Sequence, residues 1–195
     1  MPTKHHLAAI LSAAAILGCG TASAQDEDFE TPARRLVESA IQGFLSEPVV
    51  INAVRKQNER TITLSQDEII ALDDRWRADD ASLITPVMQN PVSEYLRNLQ
   101  NQHKGFYTEL FVIDAVGLNV GQSDITSDYW QGDEAKYQQT FLIGENAVHI
   151  SDVEEDESSQ TFQVQISLPI VDQGELIGAA TFGVDVEALL DFGEQ

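Results

Sequence analysis

The chain has 195 residues, 43% of them hydrophobic and 22% charged, an ordinary globular balance. A folded domain of this length buries roughly 70% of its unfolded surface and needs neither a disulfide nor a metal to hold it together. With 11 Lys+Arg against 32 Asp+Glu and a formal charge of −21, it repels phosphate backbones and anionic lipid, which excludes nucleic acid and a basic membrane-surface role.

In chain order, a leader comes first. Lys4, His5 and His6 form a short polar start, Leu7 to Leu17 is an apolar run, and Ala22-Ser23-Ala24 supplies small residues for a signal peptidase. Residues 1–24 therefore read as a secretory signal peptide, and residues 25–195 as one exported domain, periplasmic or secreted. The run is too short for a comfortable membrane span. Ile16-Leu17-Gly18-Cys19 also resembles a lipobox, so a lipoprotein anchored through Cys19 is the alternative. Cleavage after Ala24 leaves no cysteine and excludes disulfide and thiol chemistry.

Helices follow. Thr31 is a cap and Pro32 suits a first helical position. Leu36, Val37, Ala40, Ile41, Phe44 and Leu45 then recur at three- and four-residue spacing, one apolar stripe. Pro48 kinks or restarts this helix, which continues through Val49, Ile51 and Val54 to about Glu59. Ser65-Gln66-Asp67-Glu68 is a capping box opening a second helix through Ile69, Ile70, Leu72 and Trp76 to about Ala81. Asn90-Pro91 opens a third, with Val92, Leu96 and Leu99 on one face, and Gly105 stops it.

The second half is β in character. Thr108 to Ile113 is a strand, Asp114-Ala115-Val116-Gly117 a turn, and Leu118 to Ser123 the returning partner. Ser123 to Phe141 is polar, with two aromatic residues together and a short helix from Asp133. Val148 to Val153 is a short strand. From Gln160 to Val171, Phe162, Val164, Ile166, Leu168 and Ile170 alternate with Gln163, Gln165 and Ser167. Asp172-Gln173-Gly174 turns into Glu175 to Val184, whose Gly178, Ala179 and Ala180 allow close packing, and a helical turn ends the chain. Helices followed by an antiparallel sheet of about five strands imply an α+β fold. The long connection from Ser123 to Val148 has the length of a functional loop.

The segments "FVIDAVGLNVGQS", "SDYWQGDEAKYQQTF" and above all "ISLPIVDQGELIGAATFGVDVEAL" resemble the extracytoplasmic Cache (PDC) sensor domains of bacterial chemoreceptors and sensor kinases, over roughly Pro32 to Leu190. The resemblance implies a long N-terminal helix supporting a PAS-like sheet, with a small-molecule pocket on the concave face and ligand contacts from the loop. It places Lys136 and Tyr137 at the family's basic and aromatic pocket positions and Asp185 at its late acidic position. Lys136 stands where the family often has Arg. The fuller amino-acid-binding pattern of two-module members is absent, so one module is implied and amino-acid specificity is not. No kinase, cyclase or methyl-accepting sequence follows, so output is expected from a membrane receptor partner or a homodimer through the N-terminal helix.

Tyr129 and Trp130 with Lys136 and Tyr137 form the sharpest constellation. They hold either a small carboxylate, through the lysine, or an amine against the aromatic faces with Asp128 and Asp133. The bland reading is that the aromatics anchor the loop while Lys136 pairs with Asp133. Trp76, between Arg75 and Arg77, reads as helix packing with solvated charges. Gln163, Gln165 and Ser167 read as strand surface unless their face looks into a pocket. The run Asp152 to Glu157 lacks a turn glycine and reads as a solvated loop. His103 and His149 are unclustered, Asp73-Asp74 sit on an exposed helix, and no nucleophile motif or phosphate loop is present. The expected function is a non-catalytic small-molecule sensor domain without metal or cofactor; the alternative is an accessory protein of the cell envelope that keeps the fold without a ligand.

Overall fold

The structure, a computed structural model, describes residues 28–156 and 161–194; the leader with Cys19, and Glu157 at the end of the acidic run, lie outside them. At its start the Asp28 carboxylate accepts from the main-chain N–H groups of Glu30 and Thr31 and from the Thr31 hydroxyl. Helix α1 (Glu30–Leu36) therefore begins before the expected cap at Thr31. It passes through a π-helical turn, Val37–Ile41, into α2 (Gln42–Leu45). The wider turn rotates the stripe: Leu36, Val37, Ile41 and Phe44 are buried, while Ala40, expected among them, is exposed. The buried stripe packs into the chain's own core.

Pro48 restarts the helix rather than kinking it. Glu47 is extended and Pro48 takes the first turn of α3 (Pro48–Thr61), where a missing N–H costs nothing. The buried face of α3 runs Val50, Val54, Gln57, Thr61 and so turns polar toward its end. The capping box forms as expected: the Ser65 hydroxyl accepts from the Glu68 N–H, and the Glu68 carboxylate accepts from the Ser65 N–H. It opens α4 (Gln66–Arg77), which stops short of Ala81. An unexpected helix follows, α5 (Ala81–Met88), capped by Asp80 and carrying Pro86 inside. That proline discourages a helical reading of the sequence, but the helix is short and tertiary packing overrides propensity. Asn90 caps α6 (Pro91–Gln102), and Gly105 ends this region at φ +79°.

Among the described residues six antiparallel strands follow: β1 (Tyr107–Asp114), β2 (Asn119–Gln122), β3 (His149–Ile150), β4 (Glu154–Asp156), β5 (Thr161–Asp172) and β6 (Glu175–Asp185). Their order is β2-β1-β6-β5-β3, with β4 also on β5. The sixth strand lies in the acidic run read as a solvated loop, where Glu154, Glu155 and Asp156 pair with Gln163, Phe162 and Thr161. Gln173 and Gly174 both take positive φ at the β5–β6 turn, matching the twist of the strands they join. The chain closes with α8 (Val186–Gly193). The architecture is α+β, as the order of elements implied.

One sheet face buries Leu110, Val112, Val164, Ile166, Leu168 and Phe182 under the helices. The other carries Phe111, Ile113 and Ala179 under Tyr137 and Phe141 of the long connection. On that face Gln163 and Gln165 donate to the Glu109 carboxylate, and Ser167 bonds Thr181 in full burial. It is therefore not ordinary strand surface. At Gly178 a Cβ would collide with the Ile113 carbonyl oxygen and lie 3.1 Å from Val54 Cγ1 of α3. Gly178→Val is expected to lower unfolding free energy by about 1–3 kcal/mol in urea denaturation; an unchanged midpoint would show that β1 as well as α3 has room to give.

Candidate functional site

The connection from β2 to β3 straddles the sheet edge and is fastened on both sides. On the helix side, Asp73 of α4 is buried, and its Oδ1 accepts the N–H groups of Tyr129 at 2.8 Å and Trp130 at 3.0 Å. Arg77 bridges Asp73 and Asp128 at 2.8 and 2.7 Å. Trp76, 2% exposed, stacks on Tyr129 at 5.2 Å between centroids, and its Nε1–H donates to the Thr126 carbonyl. The Trp130 Nε1–H donates to the Val116 carbonyl. Arg77 and Arg75, expected as solvated charges, are thus engaged, Arg75 with Asp80.

On the far side sit Lys136 and Tyr137, from helix α7 (Ala135–Gln138). The Lys136 ammonium pairs with Glu134 at 2.7 Å rather than with Asp133, and lies 5.4 Å from the Phe111 ring centroid. Its side chain is only 13% exposed. Tyr137 stacks on Phe141 and donates to the Ala115 carbonyl; burial pushes its hydroxyl up to about 12. Burial and the nearby Lys136 charge hold His149 below its ordinary value. Asp133 is exposed. Asp185 caps α8, its Oδ1 accepting from the Ala188 N–H.

The six candidate residues therefore fall into groups. Tyr129 and Trp130 join α4; Lys136 and Tyr137, on the short α7, roof the sheet face opposite α3 and α6; Asp133 faces solvent and Asp185 serves a helix end. Only Tyr129 reaches a cleft described below.

That cleft, of about 610 Å³, opens beside α3 and α5, and its volume lies in the range of small-molecule sites. From α3 it takes Val49, Ala53, Lys56 and Arg60, residues three or four apart and so on one helix face. Leu83, Pro86 and Val87 of α5 face them; Val120 and Tyr129 complete the apolar lining. Gln57 and Thr61 also line it and connect it to Asp114, a fully buried carboxylate. Asp114 Oδ2 accepts from Gln57 Nε2 at 3.0 Å and Thr61 Oγ1 at 2.8 Å, and Oδ1 accepts from the Val116 and Leu118 N–H groups. Burial raises the Asp114 carboxyl above its ordinary value, partly offset by these donors. Burial also raises the Tyr129 hydroxyl, with Asp114 adding to the shift and Arg60 opposing it.

The sequence reading placed Asp73 on an exposed helix, whereas it is buried, took Asp114 only as a turn residue, and passed over Lys56, Arg60, Gln57 and Thr61. A signal existed for three of these: Asp73 shares the stripe of Ile69 and Trp76, and Gln57 and Thr61 extend the stripe of Val50 and Val54. Polar side chains on an apolar stripe must find buried partners. Among the described residues no His, Cys, Asp or Glu cluster is arranged to hold a metal, and no helix is long and apolar enough to cross a membrane.

No protein-family model and no curated protein matches the chain. Among solved structures it is similar to the sensor domain of the Vibrio cholerae histidine kinase DctB, at 13% identity and a TM-score of 0.39, over 85% of this chain and 58% of that one. The sensory domain of a Campylobacter jejuni chemoreceptor aligns at 13% identity and 0.42, over 84% and 67%. The ligand-binding domain of the Pseudomonas aeruginosa amino-acid chemoreceptor PctC, solved with GABA, aligns at 15% and 0.38, over 83% and 60%. The chain thus spans less than two thirds of the length of the first of these.

Proposed function

We propose that the chain is an extracytoplasmic small-molecule sensor domain of the Cache type, which binds its ligand in the cleft between α3 and α5 and passes the signal to a membrane receptor partner or a second copy. The observation that carries this reading is the cleft itself, with Tyr129 of the long connection in its lining. A molecule in the cleft touches the same ring that stacks on Trp76. Through the main chain it is also coupled to Trp130 and, six residues on, to Lys136 and Tyr137 over the far sheet face. Occupancy selects one arrangement of this connection from several, the only way a ligand shifts such an equilibrium. Tyr129 is the ligand contact, and Trp130, Lys136 and Tyr137 transmit.

A thermal-shift screen with small carboxylates, amines and amino acids tests this, together with tryptophan emission, which reports here because both indoles flank the connection. At least one class is expected to raise the melting temperature and change the emission. Ala53→Trp, which projects an indole into the cleft, is expected to abolish the melting response while the chain still folds. No response from any class, or a response that survives in A53W, would overturn the site and favour the envelope-accessory alternative.

A further inference from the structure

The cleft is electrostatically unlike the rest of the molecule. The chain carries 32 Asp+Glu, yet among the described residues none lines the cleft, while Lys56 and Arg60 do. Elsewhere cations are engaged: Arg34, Arg55, Arg75, Arg77 and Lys136 are ion-paired, and Arg35 and Arg97 donate to main-chain carbonyls. Among the described residues, and apart from Lys104 in the turn before β1, it is the two cleft cations that have neither an ion pair nor a hydrogen bond. The buried Tyr129 ring contributes a hydroxyl with no partner among the described residues.

Of the acidic groups near this cleft, Asp114 is buried under four donors and Asp80 holds Arg75 and Ser82, while Glu59, within α3, is exposed and does not line the cleft. Arg60 is left with a planar fork of donors suited to a carboxylate. Val49, Ala53, Leu83 and Val87 offer a hydrocarbon body a dry wall.

We propose that the cleft takes a small amphipathic carboxylate, its head group held by Arg60, Lys56 and the Tyr129 hydroxyl and its hydrocarbon body against α3 and α5. This rests on the sensor reading above and adds the charge of the ligand. A free amine meets two cations and no carboxylate. A free amino acid leaves its ammonium unpaired beside them, at a desolvation cost its deaminated analogue avoids.

A matched series on the purified chain, followed by calorimetry and melting, isolates the head group: hexanoate, hexan-1-ol, hexylamine and norleucine. Hexanoate is expected to bind best, norleucine and hexanol more weakly, and hexylamine not at all. Arg60→Gln is expected to weaken hexanoate about ten-fold, Lys56→Gln less, and neither to change hexanol. Added salt is expected to weaken hexanoate and to leave hexanol unchanged, since both cations are exposed to screening. Hexylamine or norleucine equalling hexanoate, or R60Q binding hexanoate as the wild type does, overturns the carboxylate assignment. The sensor reading survives that result if A53W still abolishes the response. If none of the four binds, the carboxylate assignment falls, and the wider screen alone decides the sensor reading.

Discussion

Asp114→Ala is expected to cost about 3–5 kcal/mol in unfolding free energy, because it strands the N–H groups of Val116 and Leu118 in the interior at once, while the Thr61 hydroxyl keeps the Gln57 carbonyl as an acceptor. Gln57 suffers less, since its Nε2 also reaches the Leu118 and Asn119 carbonyls. Asp114→Asn keeps one oxygen for the turn but points an amide N–H at the Gln57 donor, so an intermediate loss is expected. Urea denaturation ranks the three proteins, and a loss below about 1 kcal/mol in D114A would mean that water replaces the carboxylate freely.

The same carboxyl sets a pH signature. Burial raises it in the folded chain above the 3.8 of the unfolded one. Folded chains then keep a proton that unfolded chains have released. The stability this group contributes is full below the unfolded value and is lost as pH rises through the folded value. D114N has no such proton, so the advantage of the wild type over D114N is expected to shrink as pH rises from about 4 toward 7. Asp80 acts with the opposite sign: bonds from Ser82 and Arg75 lower it to about 2, so its contribution is present above the unfolded value and lost on acidification. A wild-type advantage that grows with pH would contradict the assignment of burial as the ruling cause at Asp114.

Trp76→Ala is expected to cost about 3–5 kcal/mol, the usual range for removing a buried aromatic side chain. The indole is 2% exposed, stacks on Tyr129, and holds Thr126 through its N–H. The loss is local in kind as well as large. With the stack gone, the segment around Thr126 to Trp130 is held to α4 by Asp73 and by the Arg77–Asp128 pair, and protease cleavage there is expected to quicken before the sheet unfolds. Trp76→Phe keeps a ring against Tyr129 and gives up only the bond to Thr126, so most of the stability is expected to remain. If W76A and W76F behave alike, the hydrogen bond rather than the stack holds the connection.

Much of the fold was legible because its signals are local. The stripe of Leu36, Val37, Ile41 and Phe44, the Ser65 and Asn90 caps, the Gly117 and Gly174 turns and the alternation along β5 each report which face of one element meets the core. Helices before strands then sufficed for an α+β reading. Local signals failed where a neighbour decided the outcome: α5 holds its helix despite Pro86 because it packs on α4, α6 and β2, and β4 exists because β5 offers it an open edge.

The candidate site divides in the same way. Sequence alone singled out the aromatic-bearing connection and its lysine, since such residues cluster visibly along the chain. Tertiary structure alone decided that Tyr129 turns toward the helices while Lys136 turns to the far face of the sheet, that Asp73 accepts the main-chain N–H groups of both Tyr129 and Trp130, and that among the described residues two cations of α3 stand unpaired opposite α5. Periodicity records how each segment meets its own surroundings; it carries no record of which distant segment supplies them, and that choice is made only when the elements pack.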